Sequence, residues 1–454
     1  MVSGAAVGVT AASAQLRTGI TDDRFNDGTP GPAMRLTKTT GAKVARFVFS
    51  WHNIALNRPA VATNPNDSAY NWAHADKQVQ AAANNGLQPL VTIMKAPPWA
   101  HQPNKKNPEV TRYPDAPAYG DFAEAAAKRY NGTFIPPGAT EPLPRVRWWM
   151  AWNEPNRKYF LLPQFVGTKV ESAVIYRRLV NEFAEGVRAG DPDGRNLVVA
   201  GGLAPLGVTG SPAPIRFMRQ LFKGKVSFDV WSHHPYTSGG PRHKAAGSGN
   251  IALGNLPTMR KLLYANVRAG QVNTKKKVQF WVTEFSWDTK PPDRHRYALP
   301  MGLHARWTAE ALYRMWKQGV SVVIWFKVRD NPFRTSPYQS GFYTARGARK
   351  RSLRAFRFPT VAFRQPGRIR IWGRTPTSTP GKVVIQIRIG KRWRNLTRLR
   401  ANGNGIFQGS VKTPYRSGLI RARHRTETSL GFSLTPVPNR YVNPFGCGGG
   451  LPCQ

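Results

Sequence analysis

Two glutamates in this sequence stand at the ends of apolar, aromatic-rich segments. Glu154 directly follows the segment RVRWWMAWN, and Glu284 ends the segment KVQFWVTE. A strand that reads as buried on both faces ends on a carboxylate only where some chemistry uses it. Two facing carboxyl groups suit glycosidic bond cleavage, in which one protonates the leaving oxygen and the other attacks the anomeric carbon or activates a water.

Residues near the ends of other apolar segments complete the candidate site. They are Arg46, Asn153, His234, Tyr236 and Trp325. A guanidinium and a phenol hydroxyl beside one glutamate would favour its ionised form, and Arg46 and Tyr236 are the available donors. We expect Glu154, on a tryptophan-rich segment, to occupy the drier setting in which an acid keeps its proton.

Eight short β-rich segments alternate with helix-like segments along the chain. They are residues 15–20, 43–50, 89–95, 145–153, 196–202, 227–233, 277–284 and 321–327. Apolar strands separated by helices predict a parallel sheet covered by helices. Eight such units within residues 15–359 predict an α/β fold, the (β/α)8 TIM barrel, with its active site at the carboxyl ends of the strands. A doubly wound sheet is the competing fold, but no strand precedes a G-x-G-x-x-G turn.

The pattern changes after residue 359. Residues 360–435 contain short strands separated by Gly, Pro, Ser and Asn, without helical periodicity, and we expect a small all-β sandwich of Ig-like type. A Pro- and Gly-rich tail, 436–454, follows. Its two cysteines, Cys447 and Cys453, could close a small disulfide loop, which suits an exported protein.

Five motifs taken together resemble clan A of the retaining glycoside hydrolases. They are RFVFSW at strand two, WNEPN at strand four, HPY at strand six, TEF at strand seven and a tryptophan on strand eight. The WNEPN context and SGFYTARGARKRSLRAFRFP are similar to the cellulase-type and the β-xylosidase/α-L-iduronidase families of that clan. The resemblance covers roughly residues 15–358 and implies a retaining enzyme that acts on β-linked carbohydrate without a cofactor.

The resemblance also implies a role for each candidate residue. Glu154 would be the acid/base and Glu284 the nucleophile, with Arg46 and Tyr236 holding the nucleophile. Asn153 would hydrogen-bond the 2-hydroxyl of the sugar.

Two further positions follow from the same resemblance. Trp325 would form the floor of the subsite for the reacting sugar, and His234 matches the strand-six histidine of the clan. Cellulase-type members often place a histidine at the end of strand three, where this chain has Met94-Lys95-Ala96. The strand-three sugar contact and the exact family therefore stay open.

Other residues near the strand ends have two interpretations. Trp99 and His101 provide either a sugar-stacking platform or local packing. Lys327 or Arg329 could contact a uronate, but an ion pair between Arg329 and Asp330 is the favoured use.

Adjacent residues on a strand point to opposite faces, so His233 and His234 are not expected to share a metal ion, and no metal site is predicted. In the sandwich, Trp372 or Trp393 could bind polysaccharide, although a docking or spacer role is favoured.

The net charge of the chain is +44. Residues 360–454 hold 17 Lys and Arg and a single acid, Glu427, so the excess is spread along the chain. A basic surface favours anionic partners such as acidic polysaccharide, cell wall or nucleic acid, although a general compositional habit also explains it. No nucleic-acid-binding motif is found. The competing function is a catalytically inactive barrel that binds anionic polysaccharide, and the oligomeric state stays undetermined.

The first 14 residues resemble the end of a secretory signal. A run of small, weakly apolar residues ends in Ala12-Ser13-Ala14, an A-x-A cleavage pattern, although a basic n-region is missing. No apolar run approaches the ~20 residues of a membrane span. We therefore expect a secreted protein, either extracellular or associated with a cell wall.

Overall fold

The computed structural model describes residues 13–104, 106, 108, 110–191, 193–295 and 297–440. Eight parallel strands form a closed barrel in which neighbours in the sequence are neighbours in the sheet and β8 closes onto β1. The strands are β1 (Arg17–Thr21), β2 (Val44–Ser50), β3 (Gln88–Met94), β4 (Trp148–Ala151), β5 (Leu197–Leu203), β6 (Val230–His233), β7 (Gln279–Phe285) and β8 (Val320–Phe326). The predicted TIM barrel and its eight strands are confirmed.

One helix follows each barrel strand and covers the outside of the barrel. The helices are α1 (Gly31–Thr39), α2 (Ala73–Asn84), α3 (Ala116–Arg129), α4 (Glu171–Ala189), α5 (Pro214–Leu221), α6 (Leu256–Arg268), α7 (Met301–Lys317) and α8 (Arg351–Arg357). Each buries an apolar stripe against the strands, as an amphipathic helix on a sheet must. This pairing gives the complete β/α alternation that the sequence predicts.

The barrel interior is packed with apolar side chains from alternate strand positions. They are Val44, Leu90, Trp148, Met150, Val199, Val230, Trp281, Val322 and Ile324. Trp148 and Trp281 pack with their ring centroids 4.6 Å apart. Because this core fills the barrel, polar side chains have room only at the mouth, where the strands end.

Strand β4 is shorter than predicted and ends at Ala151. Trp152 and Glu154 both adopt left-handed backbone conformations, with φ of 62° and 41°. The Glu154 backbone N–H donates to the carbonyl of Gly202 at 3.1 Å, which ties the turn to the end of β5. The chain therefore leaves the sheet before the catalytic candidates, and their side chains are aimed by a strained turn.

Two short strand pairs lie in the loops at the mouth. After β3, His101–Gln102 pairs antiparallel with Arg112–Pro114, and after β7, Thr289–Lys290 pairs parallel with Leu299–Pro300. A single helical turn, Trp51–Ile54, follows β2. These segments shape the loops around the strand ends.

A second, all-β domain follows the barrel, as predicted. Its strands are β9 (Thr360–Gln365), β10 (Arg368–Arg374), β11 (Gly381–Ile389), β12 (Arg392–Ala401), β13 (Ile406–Lys412), β14 (Leu419–His424), β15 (Glu427–Thr428) and β16 (Phe432–Ser433). One sheet has the order β9-β10-β13, and the other has the order β12-β11-β14-β15 with β16 paired to β14. Phe363 and Phe432 pack edge to face between the two sheets.

The sandwich is docked on the barrel by buried side chains. Trp372 is buried and packs against Trp316 and Tyr313 of α7, with ring centroids 5.2 Å and 5.5 Å away. The interpretation of Trp372 as a polysaccharide-binding residue is therefore wrong, because its ring is used in the contact between the domains.

Two sequence expectations concern segments at the chain ends. Residues 1–12 of the proposed signal segment and the two cysteines, Cys447 and Cys453, lie outside the described residues. Within the described residues, no helix combines the length and the apolar character that a membrane crossing needs.

Candidate active site

Six of the seven predicted site residues meet at the mouth of the barrel. Arg46, on β2, is buried, and its guanidinium donates to Glu284 Oε2 at 2.9 Å and to the Thr283 carbonyl at 3.1 Å. Its Nε donates to Thr92 Oγ1 at 3.1 Å, which fixes the plane of the guanidinium. Arg46 therefore presents a fixed positive charge to Glu284.

Tyr236 supplies the second donor to Glu284. Its hydroxyl donates to Oε1 at 2.7 Å, so each carboxylate oxygen of Glu284 accepts one hydrogen bond. Burial alone would raise the pKa of Glu284, but the charges of His234 and Arg46 and the Tyr236 hydrogen bond outweigh it, and the pKa is lowered. Glu284 is therefore held as the carboxylate.

Asn153 is oriented by the same guanidinium. Arg46 Nη2 donates to Asn153 Oδ1 at 2.6 Å, and Asn153 lines the cavity beside Glu284. Because the amide oxygen accepts from Arg46, the Asn153 amide nitrogen is the group left to donate to a ligand.

His234 lies between the two glutamates. Its Nδ1 is 3.0 Å from Glu154 Oε1 and 3.9 Å from Glu284 Oε2. Because both oxygens lie close to the same nitrogen, the two carboxyl groups are near neighbours. The other ring nitrogen is 3.2 Å from Thr283 Oγ1. The side chains of Glu154 and Glu284 are 17% and 20% exposed, so both are open to a ligand in the cleft.

The tryptophans of the β4 segment do not enclose Glu154, contrary to expectation. Trp149 packs against Phe49 outside the barrel, and the Trp152 indole N–H donates to the carbonyl of Phe160 at 3.0 Å. The φ of 62° at Trp152 breaks the strand alternation that would have brought its ring beside Glu154. The polar neighbour of the Glu154 carboxyl is His234.

Trp325 is not at the site. It is fully buried outside the barrel, where its indole N–H donates to the Ser340 carbonyl at 2.8 Å and its ring stacks on Phe342. Its neighbour Phe326, one residue later and therefore on the opposite face of β8, lines the cavity beside Glu284. The aromatic residue that β8 places beside Glu284 is therefore Phe326, and the prediction of Trp325 is wrong.

The cleft at the mouth has two arms that meet at Glu284 and Phe326. The first, about 780 Å³, extends over the ends of β1 to β3 and is lined by polar residues that include Asp23, Asn53 and Lys95. The second, about 350 Å³, extends over the loops after β6 to β8. Glu284 therefore lies where the two spaces meet, with Asn153 lining the first space and Tyr236 lining the second.

The structure separates the two interpretations of several loop residues. Trp99 donates from its indole N–H to the Ala55 carbonyl at 2.9 Å and packs edge-on against Trp51, which is local packing. His101 Nδ1 lies 2.8 Å from the carbonyl of the next residue, Gln102.

The residues after β8 are engaged within the protein. Lys327 donates to Asp23, and Arg329 donates from Nε to the Ala345 carbonyl at 3.0 Å. Asp330 pairs with Lys350 at 2.7 Å. The expected ion pair between Arg329 and Asp330 is therefore wrong, because Lys350 occupies the carboxylate.

His233 and His234 point in opposite directions, as expected for adjacent strand residues. His233 Nε2 lies 2.8 Å from the Ile251 carbonyl, and burial lowers its pKa to about 3. Across the described part of the chain, no group of three or more metal-ligating side chains converges.

Comparison with known proteins gives matches in structure alone. Neither a family model nor a curated protein matches the chain. The chain is similar to the GH39 enzyme from Xanthomonas axonopodis pv. citri, with a TM-score of 0.52, 14% identity, and coverage of 88% of this chain and 92% of that one. It is also similar to a GH39 β-xylosidase from Caulobacter crescentus, with a TM-score of 0.50, 16% identity and 84% coverage of both chains. This chain has the fold of these glycoside hydrolases.

Several residues at the site escaped the sequence analysis. The hydroxyl of Thr283 contacts His234, and the hydroxyl of Thr92 accepts from Arg46. Their positions in the sequence could have indicated this, since Thr283 precedes Glu284 on β7 and Thr92 lies on β3, the neighbour of the strand that carries Arg46. Asp288 lines the second arm, and burial raises its pKa to about 6. Its Oδ1 accepts from the Gln339 backbone N–H at 2.8 Å, a contact between two loops that the sequence around Asp288 does not indicate.

Proposed function

We propose that the protein is a retaining glycoside hydrolase that cleaves β-linked glycans by double displacement. The observation that supports this most is the unequal treatment of the two carboxyl groups. Glu284 accepts hydrogen bonds from Arg46 and Tyr236, whereas Glu154, beside the same cleft, is contacted by the His234 ring. An ionised nucleophile opposite an acid that can hold a proton is the pairing that glycoside cleavage needs.

In the first step, a Glu284 oxygen attacks the anomeric carbon while Glu154 transfers its proton to the leaving oxygen. The glycosidic bond breaks, the alcohol leaves, and a glycosyl–Glu284 ester forms. In the second step, the Glu154 carboxylate takes a proton from water, whose oxygen attacks the anomeric carbon and releases Glu284. Two inversions at this carbon retain its configuration, and no cofactor takes part.

The spacing of the carboxyl groups favours retention. Retaining enzymes have a gap of about 5–5.5 Å, which leaves no room for a water between the second carboxylate and the anomeric carbon, and inverting enzymes have about 6.5–9.5 Å. One ring nitrogen of His234 lies 3.0 Å from Glu154 Oε1 and 3.9 Å from Glu284 Oε2, and two oxygens this close to one atom support the shorter spacing. Asn153, with its amide nitrogen directed by Arg46, is the donor for the sugar 2-hydroxyl.

The shape of the cleft favours a polymeric substrate. Space continues from Glu284 into both arms, so a glycan chain can extend on either side of the cleaved bond. We therefore expect internal cleavage, and the size of the first products from a soluble β-glycan measures it. A mixture of oligosaccharides supports the groove, and release of monosaccharide alone contradicts it.

Substitution of the two glutamates tests the proposed chemistry on a panel of aryl β-glycosides. Glu284→Gln should abolish hydrolysis, and Glu154→Gln should lower kcat/KM by about 10²–10⁴-fold, least for leaving groups that need no proton. Glu141→Gln, an exposed glutamate before β4, is the matched control and should retain full activity.

Two outcomes contradict the proposal. Hydrolysis that persists in Glu284→Gln would contradict the assignment of Glu284 as the nucleophile. An inverted product anomer in the proton NMR spectrum of the early reaction would contradict double displacement. Salt-sensitive binding of anionic polysaccharide without turnover on any glycoside would instead support the competing function, an inactive barrel, for which the charge of +44 is the favouring observation.

We also propose that the protein is exported, on the basis of the A-x-A pattern at Ala12-Ser13-Ala14. Mature protein in the culture medium, with an N-terminus after Ala14, is the expected result. Full-length protein retained in the cells contradicts export.

A further inference from the structure

The outer face of the larger sandwich sheet places cations beside one another on three adjacent strands. Across β11 and β12, Lys382 stands opposite Arg400, and Val384 stands opposite Arg398. Across β11 and β14, Arg423 stands opposite the same Val384. Cross-strand pairs lie about 5 Å apart, so these side chains form neighbouring rows.

The strand alternation makes this arrangement one continuous surface. The residues between the outward positions of β11 are Val383, Ile385 and Ile387, which are buried in the sandwich core. We define the basic face by the cations on the opposite side of this sheet: Lys382, Arg388, Arg398, Arg400, Arg421 and Arg423. Arg421 is half-buried, and the other five are exposed.

The basic face lacks acidic partners. The one acid of residues 360–454 is Glu427, and both of its oxygens accept from Arg357 of the barrel, at 2.7 Å and 2.9 Å. Within the described residues, no salt bridge involves any member of the basic face. Like charges on neighbouring strands destabilise a sheet, so the free protein carries a repulsion that an anionic ligand would remove.

One guanidinium of the basic face is held rigidly. Arg421 Nε donates to Gln386 Oε1 at 2.8 Å, and its guanidinium lies 3.9 Å from the ring centroid of Trp393. Gln386 is 6% exposed and also donates to Asn395 Oδ1 at 3.0 Å. Burial, and then the nearby charges of Arg423 and Arg354, lower the pKa of Arg421.

This geometry gives Trp393 a different use from the one the sequence suggested. Arg421 covers one face of the indole, so the ring positions a guanidinium instead of offering that face to a sugar. A depression of about 460 Å³ is lined by Lys382, Asn395 and Arg423 among others, and Asn395 accepts a hydrogen bond from Gln386, the residue that fixes Arg421. Planar guanidinium groups such as those of Arg421 and Arg423 suit bidentate recognition of a carboxylate.

We propose that the basic face binds a linear anionic polysaccharide through its uronate carboxylates. Repeated anions along one chain match repeated cations along adjacent strands, which are spaced by about 4.8 Å. Single-stranded nucleic acid is the competing polyanion, but its binding surfaces combine cations with aromatic rings free for base stacking, and Arg421 already occupies one face of Trp393. The choice of a glycan also rests on the proposed function, since a glycan is what the barrel would cleave.

Binding of the full-length protein to polygalacturonate, a soluble polyuronate, tests the proposal. Polygalacturonate should bind at about 150 mM salt and weaken as salt rises, whereas neutral xylan should not engage the face. Arg398→Gln with Arg423→Gln should weaken binding at least about tenfold, because two of the six cations are removed. The matched control is Arg364→Gln with Arg370→Gln, two exposed arginines of the other sheet, and it should change binding less than about twofold.

Three results would overturn the proposal. They are an equal loss in both double variants, equal binding of xylan, and single-stranded DNA that competes as well as polygalacturonate at the same anion concentration. Equal melting temperatures of the two variants show that folding does not explain a difference in binding.

Glycosidase assays separate this proposal from the proposed function. Both double variants should hydrolyse aryl glycosides as the unsubstituted protein does, and Glu284→Gln should still bind polygalacturonate. Binding of polygalacturonate without hydrolysis of any glycoside would support the proposal for the basic face and contradict the proposed hydrolase function. Hydrolysis with binding unchanged by Arg398→Gln and Arg423→Gln contradicts the basic face alone.

Discussion

Glu154 and Glu284 are the same side chain in two different surroundings. Glu284 receives a guanidinium and a phenol hydroxyl, at 2.9 Å and 2.7 Å, and its pKa is lowered. Glu154 has no cation from Lys or Arg within salt-bridge distance among the described residues, and its Oε1 faces His234. Arg46 and Tyr236 both donate to Glu284, and the proposed double displacement uses this asymmetry, because its nucleophile has to be ionised.

Removal of the Tyr236 hydroxyl should shift the pH dependence of the proposed hydrolysis. A lowered pKa means that Glu284 stays ionised on the acidic side of the usual glutamate range, so activity persists there. Tyr236→Phe removes one stabilising donor and raises this pKa. The acidic limb of kcat/KM should therefore move to higher pH by about one unit, the equivalent of ~1.4 kcal/mol for a hydrogen bond to a charged group.

Tyr338→Phe is the control for this measurement. Tyr338 lines the second arm of the cleft, and no hydrogen bond joins it to Glu284 within the described structure. Its substitution should alter KM without moving the acidic limb. An acidic limb that stays in place in Tyr236→Phe would contradict the assignment of Tyr236 as the group that holds the nucleophile ionised.

Individual barrel strands show how far the sequence predicts the structure. Apolar runs locate all eight strands, because a strand buried on both faces needs them. The sequence of β8 does not show which side chains face the barrel interior, because Trp325 and Phe326 are both aromatic. The register of the closed barrel decides which of the two faces the mouth. The turn after β4 is also hidden, because tryptophan and glutamate do not signal left-handed backbone.

The junction of β5 and β6 should be sensitive to a single methyl group. Gly201 has a φ of 94°, and a Cβ there would lie 2.3 Å from the Ser232 backbone carbonyl, which cannot move without breaking the sheet register. Gly201→Ala should lower the free energy of unfolding by about 3 kcal/mol or more, combining left-handed strain with overpacking. Denaturant unfolding measures the change.

Gly86→Ala separates these two contributions. Gly86, just after α2, has a φ of 63°, but nothing lies within 4 Å of the position where its Cβ would stand. Its substitution should cost about 1 kcal/mol, from strain alone. Equal losses in the two variants would show that the contact with β6 does not constrain β5.

At the scale of the whole molecule, the sandwich is fastened to the base of the barrel. Arg374 of β10 is buried and donates to the Leu16 carbonyl at 2.9 Å, to Thr18 Oγ1 at 3.0 Å and to the Phe356 carbonyl at 3.2 Å. Burial, reinforced by the charge of Arg357, lowers the pKa of Arg374 to about 10. One side chain thus connects β1, α8 and the sandwich.

Arg374→Met should weaken this connection without affecting the chemistry. Removal of the guanidinium leaves the buried oxygens that accept from it without a donor, which costs about 1–3 kcal/mol for each oxygen. The substitution also removes the cost of burying a charged guanidinium, so we expect the free energy of unfolding to fall by about 2 kcal/mol. Thermal unfolding measures it, and kcat/KM should not change because the site lies at the other end of β1. Arg370→Met, exposed on the same strand, should stay within about 0.5 kcal/mol, and an equal loss there would contradict the role of Arg374.

Charge illustrates the limit of prediction at this scale. The sequence shows the basic excess of residues 360–454, but one acid among 17 cations does not reveal which cations share a surface. That follows only from the pairing of β11 with β12 and β14, which brings residues as distant as Arg398 and Arg423 beside the same valine. Pairing between strands is a property of the fold, not of any local pattern.

Covalent trapping of the reaction intermediate tests the central claim most directly. A 2-deoxy-2-fluoro aryl glycoside slows both displacement steps, and an activated leaving group lets the glycosyl–enzyme ester accumulate. Peptide mass spectrometry should then find the sugar on Glu284, with no adduct in Glu284→Gln. A sugar attached to Glu154, or turnover with an inverted product and no adduct, would contradict the assignment of Glu284 as the nucleophile.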